Sequence, residues 1–223
     1  MREIVFNRNN YNNRRKFYDD IYLNRLVDLS IENYNKSGLN IFIRYMFYSY
    51  NSNDYEEMLS SFSLMYNESI SCLFEVYELF LQWNVYKNYN LGEVRGAFLE
   101  LLTFKLLKNI HDNSSIYRES YVKRDDYQSH SWDIIVEIDD LLELYECKFS
   151  FESLKRGQLN QIFGSINNLN ADVFLIFYQL KRKLNDNIEI WRENTSKDKF
   201  GYLINAVNII TLEDFSEGNP FLK

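Results

Sequence analysis

Residues 132–150 read Trp-Asp-Ile-Ile-Val-Glu-Ile-Asp-Asp-Leu-Leu-Glu-Leu-Tyr-Glu-Cys-Lys-Phe-Ser. Two apolar runs flank Asp139-Asp140, and Asp tolerates left-handed backbone better than most residues, so the stretch predicts a hairpin with a two-residue turn. Counting outward from that turn sets Asp133 opposite Glu146, on one face, with Cβ atoms about 5 Å apart. Alternation puts Lys148 on the same face and turns Cys147 to the other, as a small core residue. Facing carboxylates repel, and a divalent cation between them removes that objection. Oxygen ligands with room for water suit Mg2+ or Mn2+. Lys148 is then placed to orient a water or to stabilise charge growing on a phosphate. Together these residues point to metal-assisted phosphodiester hydrolysis.

Working outward, Ile116–Arg124 predicts a strand before Trp132–Ile138, and Leu141–Phe149 completes a set of three. A helix over Ser153–Asn168 and an apolar strand over Val173–Gln179 follow, then a strand over Val207–Ile210 with Thr211 capping a last turn. Upstream, Leu91–Asn109 predicts a helix. At about 100° per residue, Glu100 falls between Leu107 and Phe104 on a side that packs inward, with Gly96 one turn before it. A buried acid there needs a metal or a basic partner, and Arg95 and Lys108 are the nearby bases. Residues 1–90 predict a helical region. Phe17, Ile21, Leu26, Leu29 and Ile31 recur at near-helical spacing, and Ser37-Gly38 reads as a stop. Further helices are expected over 39–50, 55–66 and 69–89, with Ser52 or Asp54 as a cap and Leu73, Val76, Phe80 and Trp83 on one packing stripe. The chain therefore reads as α/β (α+β): a helical region over 1–90, then a domain over 91–223 with a mixed central sheet.

Asp133 followed by Glu146-Cys147-Lys148 resembles the PD-(D/E)xK motif of the restriction-endonuclease-like nuclease superfamily. Glu146-Cys147-Lys148-Phe149-Ser150 also resembles the E-x-K-x-S form of Holliday-junction resolvases. Gly96 and Glu100 resemble the superfamily's first-helix acid, and the order helix, three strands, helix, strand is similar to its αβββαβ core. The position before Asp133 is Trp132 rather than proline. The resemblance spans roughly residues 91–180. It implies that Asp133 and Glu146 are metal ligands, with the Cys147 backbone carbonyl as a further one, that Lys148 is the catalytic lysine, and that Glu100 is an auxiliary acid. It also implies a glutamine in the following helix, Gln158 in preference to Gln161. The implied activity is Mg2+-dependent (or Mn2+-dependent) hydrolysis of DNA, in restriction, phage defence or repair and recombination. Two rival readings are a catalytically silent module of the same fold, and an unrelated α/β protein whose aromatic helices serve protein–protein assembly.

Composition bounds these readings. The 223 residues hold 25 Lys and Arg against 32 Asp and Glu, a net charge of -7, which argues against indiscriminate polyanion binding. A local basic surface, a homodimer, a protein partner or metal ions would have to supply the attraction for nucleic acid. Residues 2–16 carry Arg2, Arg8, Arg14, Arg15 and Lys16 against Glu3 alone. Lys155, Arg156 and the cluster Lys181-Arg182-Lys183 are the other candidate nucleic-acid contacts. Cys72 and Cys147 are too few for a disulfide scaffold or a Cys-based zinc cage. His111 reads as a helix end and His130 as a loop residue. No apolar run is long enough to span a bilayer and the N-terminus lacks a signal-peptide core, so a cytoplasmic protein without membrane contact is expected. The sequence holds no Gly-rich phosphate loop and no Ser-His-Asp or Cys-His arrangement.

Overall fold

In the computed structural model the turn forms at Asp139-Asp140, with Asp139 at a left-handed φ of 52°. Ile138 faces Leu141 across it and Ile134 faces Tyr145, the register that the turn position requires. The structure describes residues 2–33, 36–49, 55–66, 70–83, 90–112, 115–193 and 197–222. Its elements begin with β1 (Arg2–Phe6), α1 (Arg8–Tyr18), α2 (Ile21–Glu32), α3 (Ser37–Ser49), α4 (Tyr55–Tyr66) and α5 (Ile70–Gln82). Then come α6 (Leu91–Lys108), β2 (Ile116–Arg124), β3 (Tyr127–Gln128), β4 (Trp132–Ile138) and β5 (Leu141–Lys148). The chain ends with α7 (Arg156–Leu169), β6 (Asp172–Phe177), α8 (Leu184–Glu193), α9 (Lys197–Ala206), β7 (Val207–Ile210) and α10 (Leu212–Glu217).

Among the described residues this is a mixed α/β fold with ten helices and one open sheet of seven strands. The strand order is β1-β2-β4-β5-β6-β7, with β3 paired to β2. Strands β1 to β5 pair antiparallel, whereas β5, β6 and β7 run parallel. Helices cover both faces, which is why β4, β5 and β6 carry near-continuous apolar runs. Ile134, Val136, Tyr145 and Cys147 pack against Phe98 and Leu102 of α6 and against α2, α3 and α5. Ile135, Leu142 and Leu144 pack on the other face against Leu159 and Ile162 of α7 and Trp191 of α8. Phe47 links several elements, its ring 5.1 Å from Phe80, 5.2 Å from Phe98 and 5.3 Å from Phe149. Each fully buried side chain of this kind contributes about 1.5–3 kcal/mol.

The first ninety residues are not helical throughout. Arg2–Phe6 form an edge strand on β2, and Arg2 donates to the Asp140 carbonyl at 2.8 Å and pairs with Glu137 at 2.8 Å. The expected first helix breaks at Asp19-Asp20, where the Asp20 carboxylate caps α2 by accepting from Leu23 N at 2.8 Å. Ser37-Gly38 open α3 rather than stop a helix, because α2 has already ended at Glu32. Leu73, Val76, Phe80 and Trp83 of the expected stripe are all buried. Residues 51–54, where a cap was expected, and 84–89 lie outside the described residues. The helix expected from Ser153 starts at Arg156, after a 3-10 turn over Phe151–Ser153, and α8 and α9 lie where the sequence pattern predicts no element. No described helix is long and apolar enough to cross a membrane.

Candidate active site

The β4–β5 ladder ends at Ile134 and Tyr145. One step beyond, Asp133 Oδ2 accepts the backbone N–H of Cys147 at 2.7 Å, so a side chain replaces the next ladder partner and pins the carboxylate at the sheet end. On the other flank, the β2–β4 ladder runs through Arg118–Ile134 and Ser120–Trp132 but skips Glu119, which stands opposite Asp133 with φ 45°. A non-glycine residue held there stores about 1–3 kcal/mol of strain, and such strain gathers at functional sites. The Glu119 carbonyl accepts the N–H of Asn7 at 2.8 Å, and the Asn7 side chain caps α1, so this contact fixes where α1 begins.

Helix α1 brings two side chains to the acids. Arg14 Nη2 lies 3.0 Å from Glu100 Oε1, and Tyr18 Oη lies 2.7 Å from Glu100 Oε2 and 3.0 Å from Glu119 Oε1. Glu100 is only 2% exposed. A Cβ at Gly96 would meet Arg14 Nη2 at 3.3 Å and Glu100 Oε1 at 3.4 Å, so the missing side chain gives the guanidinium its place. Arg118 stacks on the Tyr18 ring at 3.5 Å and the Phe104 ring at 4.4 Å. The bases expected to neutralise Glu100 are elsewhere: Arg95 Nε donates to the Phe47 carbonyl at 3.1 Å, and Lys108 lies over Phe104 at 5.6 Å.

Glu146 is 4% exposed. Lys148 Nζ donates to its Oε1, which Gln158 Nε2 also reaches at 3.3 Å, while His130 Nε2 lies 3.4 Å from Oε2. Gln158 Oε1 accepts the Lys155 N–H at 3.1 Å, so one amide caps α7 and contacts the acid, whereas Gln161 is exposed. Cys147 turns away and places Sγ 3.6 Å from Thr103 Oγ1, and its carbonyl oxygen lies 3.4 Å from Lys148 Nζ. Burial, then the charges of Glu146 and Glu100, push the Asp133 carboxyl well above its ordinary range, and Lys148 offsets only part of this. Burial also pushes Glu146 up, but Lys148 and His130 outweigh it and hold that carboxyl low. Lys148 is held high despite burial, by Glu146 and Asp133. Burial and the charge of Glu100 raise Glu119. Asp133 is thus the acid without a full counter-charge. It lines a cleft of about 220 Å³ with Arg14, Tyr48, Arg95, Glu100 and Lys148.

Among the described residues no three His, Cys, Asp or Glu side chains gather as a ready-made metal cage. The donor chemistry still fits a hard cation of the Mg2+ kind, which binds through one or two carboxylates and keeps several waters. Asp133 is the fitting ligand, because a cation there would replace the counter-charge it lacks. Lys155, Arg156, Lys181, Arg182 and Lys183 are exposed and do not line the cleft. The sequence reading missed Arg14, Tyr18 and Glu119, and it set His130 aside as a loop residue. The basic run at residues 2–16 and the unpaired Glu100 were the only signals for Arg14. No protein-family model matches the chain, and no curated protein matches it.

Proposed function

We propose that the protein is a divalent-metal-dependent nuclease of the PD-(D/E)xK, restriction-endonuclease-like type, hydrolysing phosphodiester bonds in DNA. One observation carries the reading: Asp133, Glu146 and Lys148 meet at one end of the β4–β5 hairpin, with Glu100 and Gln158 brought in by the helices on either side. The order α6, β2, β4, β5, α7, β6, with the two-residue β3 set aside, supports it, since it is similar to the αβββαβ order that the motif implies. Asp133 and Glu146 would hold Mg2+ or Mn2+, with the Cys147 carbonyl and Glu100 beside them. When bound, the cation supplies Lewis-acid charge stabilisation and a more acidic water. Lys148 orients the attacking water or balances charge on the scissile phosphate. Gln158 and His130 keep the Glu146 carboxylate turned toward Lys148, and Arg14 and Tyr18 fix Glu100. The test is cleavage of supercoiled plasmid and of single strands by the purified protein, together with calorimetric titration of Mn2+. Cleavage that chelation abolishes, with metal binding lost in Asp133→Ala, is expected. Neither cleavage nor metal binding in the presence of DNA would overturn the reading.

A further inference from the structure

The net charge of -7 leaves open what attracts a polyanion to this cleft. Three side chains at its rim, outside the catalytic set, answer that. Arg44 of α3 donates from Nη1 to the Phe149 carbonyl at 3.1 Å and to the Tyr178 carbonyl at 2.6 Å. Phe149 directly follows β5 and Tyr178 directly follows β6, so this guanidinium is anchored across the carboxyl ends of two parallel strands, one residue from Lys148. Ligands of open α/β sheets bind in the crevice outside such strand ends. Arg95 of α6 donates Nε to the Phe47 carbonyl and also bonds it through Nη2. Both guanidiniums pack on Tyr48, which is 50% exposed, Arg95 over its ring at 3.9 Å and Arg44 at 4.9 Å.

Neither guanidinium has a carboxylate within ion-pair distance among the described residues. Both are held by neutral carbonyls, and the nearest acid that feels Arg44, Glu152, lies beyond ion-pair distance. Arg44 Nη2 and Arg95 Nη1 donate to nothing among the described residues, and they offer N–H groups to a ligand. Tyr48 and Arg95 line the same cleft as Asp133 and Lys148. Phe47, packed in the core, fixes the backbone from which Tyr48 projects.

We infer that Arg44, Tyr48 and Arg95 form a subsite for the nucleic-acid strand next to the scissile bond, the two guanidiniums taking a neighbouring phosphate and Tyr48 standing beside its nucleotide. This rests on the nuclease reading, and it assigns the helical N-terminal region the role of holding substrate. Guanidinium forks match phosphate geometry, and an aromatic ring gives a sequence-tolerant contact to a base.

The test measures binding apart from chemistry, by fluorescence anisotropy of a labelled DNA oligonucleotide, single-stranded and duplex, in EDTA over a series of salt concentrations. Arg95→Gln should weaken binding several-fold and flatten the slope of log K against log salt by about 0.7–0.9, the share of one neutralised phosphate. Tyr48→Leu should weaken binding by a similar factor with the slope unchanged. Arg44→Lys keeps the charge at the strand ends and should bind more tightly than Arg44→Gln, with melting of each variant confirming that it folds. Lys108→Gln removes equal charge about 20 Å away along α6 and should bind like the parent. Binding by Arg95→Gln and Tyr48→Leu equal to the parent, or a loss in Lys108→Gln as large as in Arg95→Gln, would overturn the subsite. If the parent cleaves DNA and these variants bind normally, the subsite fails and the nuclease reading stands. If the parent binds through these residues but never cleaves with any metal, the subsite stands and the catalytic reading fails. A parent that binds neither form of DNA in EDTA or in Mg2+, and cleaves neither, removes both.

Discussion

At Asp133 burial and three neighbouring carboxylates all oppose ionisation. Its folded pKa lies above its unfolded one, so its stabilising contribution is complete below the usual carboxylate range and is lost as pH rises through the raised value. Asp133→Asn keeps an oxygen for the Cys147 N–H and removes the charge. The metal-free variant should therefore melt several degrees above the parent near pH 8, at about 2–4 °C per kcal/mol, and the gap should close toward pH 4. Scanning calorimetry across pH checks this, and a gap that widens on acidification would contradict it. Tyr18→Phe withdraws the hydroxyl between Glu100 and Glu119 and should cost about 1–3 kcal/mol in denaturant unfolding, because the one O–H shared by this buried acid pair is lost. The pairing of Asp133 with Glu146 and Lys148 was legible because a turn position and a period of two fix it. His130, Tyr18 and Arg14 were not, because each reaches the site from a segment whose own spacing says nothing about where it docks.

The elements from α6 to β6 follow the sequence pattern closely, since period two, period 3.6 and apolar runs are local signals. β1 left no such mark. It is an edge strand of five residues, and its pairing partner β2 lies more than a hundred positions away in sequence. α8 and α9 are short, ten residues each, and neither sustains a long period. The α1 segment matters beyond its size, because it delivers Arg14 and Tyr18 while β1 anchors it to the sheet. A chain beginning at Asn90 keeps Asp133, Glu146 and Lys148 but strips the cover from Phe98, Leu102, Ile134 and Val136. It should aggregate or melt far below the full chain, as read by light scattering and thermal melting. Full solubility with an unchanged melting point would show that the two regions are independent.

Across the whole molecule the electrostatics are uneven: acids meet at the sheet end while Arg95 lines the same cleft and Arg44 packs behind its Tyr48 and Phe149. An acidic protein arranged in this way should bind nucleic acid weakly at high salt, and better once a divalent cation balances Asp133. If the β4–β5 hairpin end is a metal-dependent phosphodiesterase centre, Lys148 acts there on the water or the phosphate. Lys148→Ala also takes from Glu146 the cation that contributes most to holding it ionised, so the metal-free variant should be less stable than the parent, the reverse of Asp133→Asn. The most direct measurement is the nicking rate of supercoiled plasmid in Mg2+ for the parent and for folded Lys148→Ala at equal concentration. Nicking by the parent that EDTA stops is expected, with a loss of about a hundredfold or more in the variant, each tenfold being ~1.4 kcal/mol of transition-state stabilisation. Equal nicking by the two proteins, or none by the parent in Mg2+ or Mn2+, would contradict it.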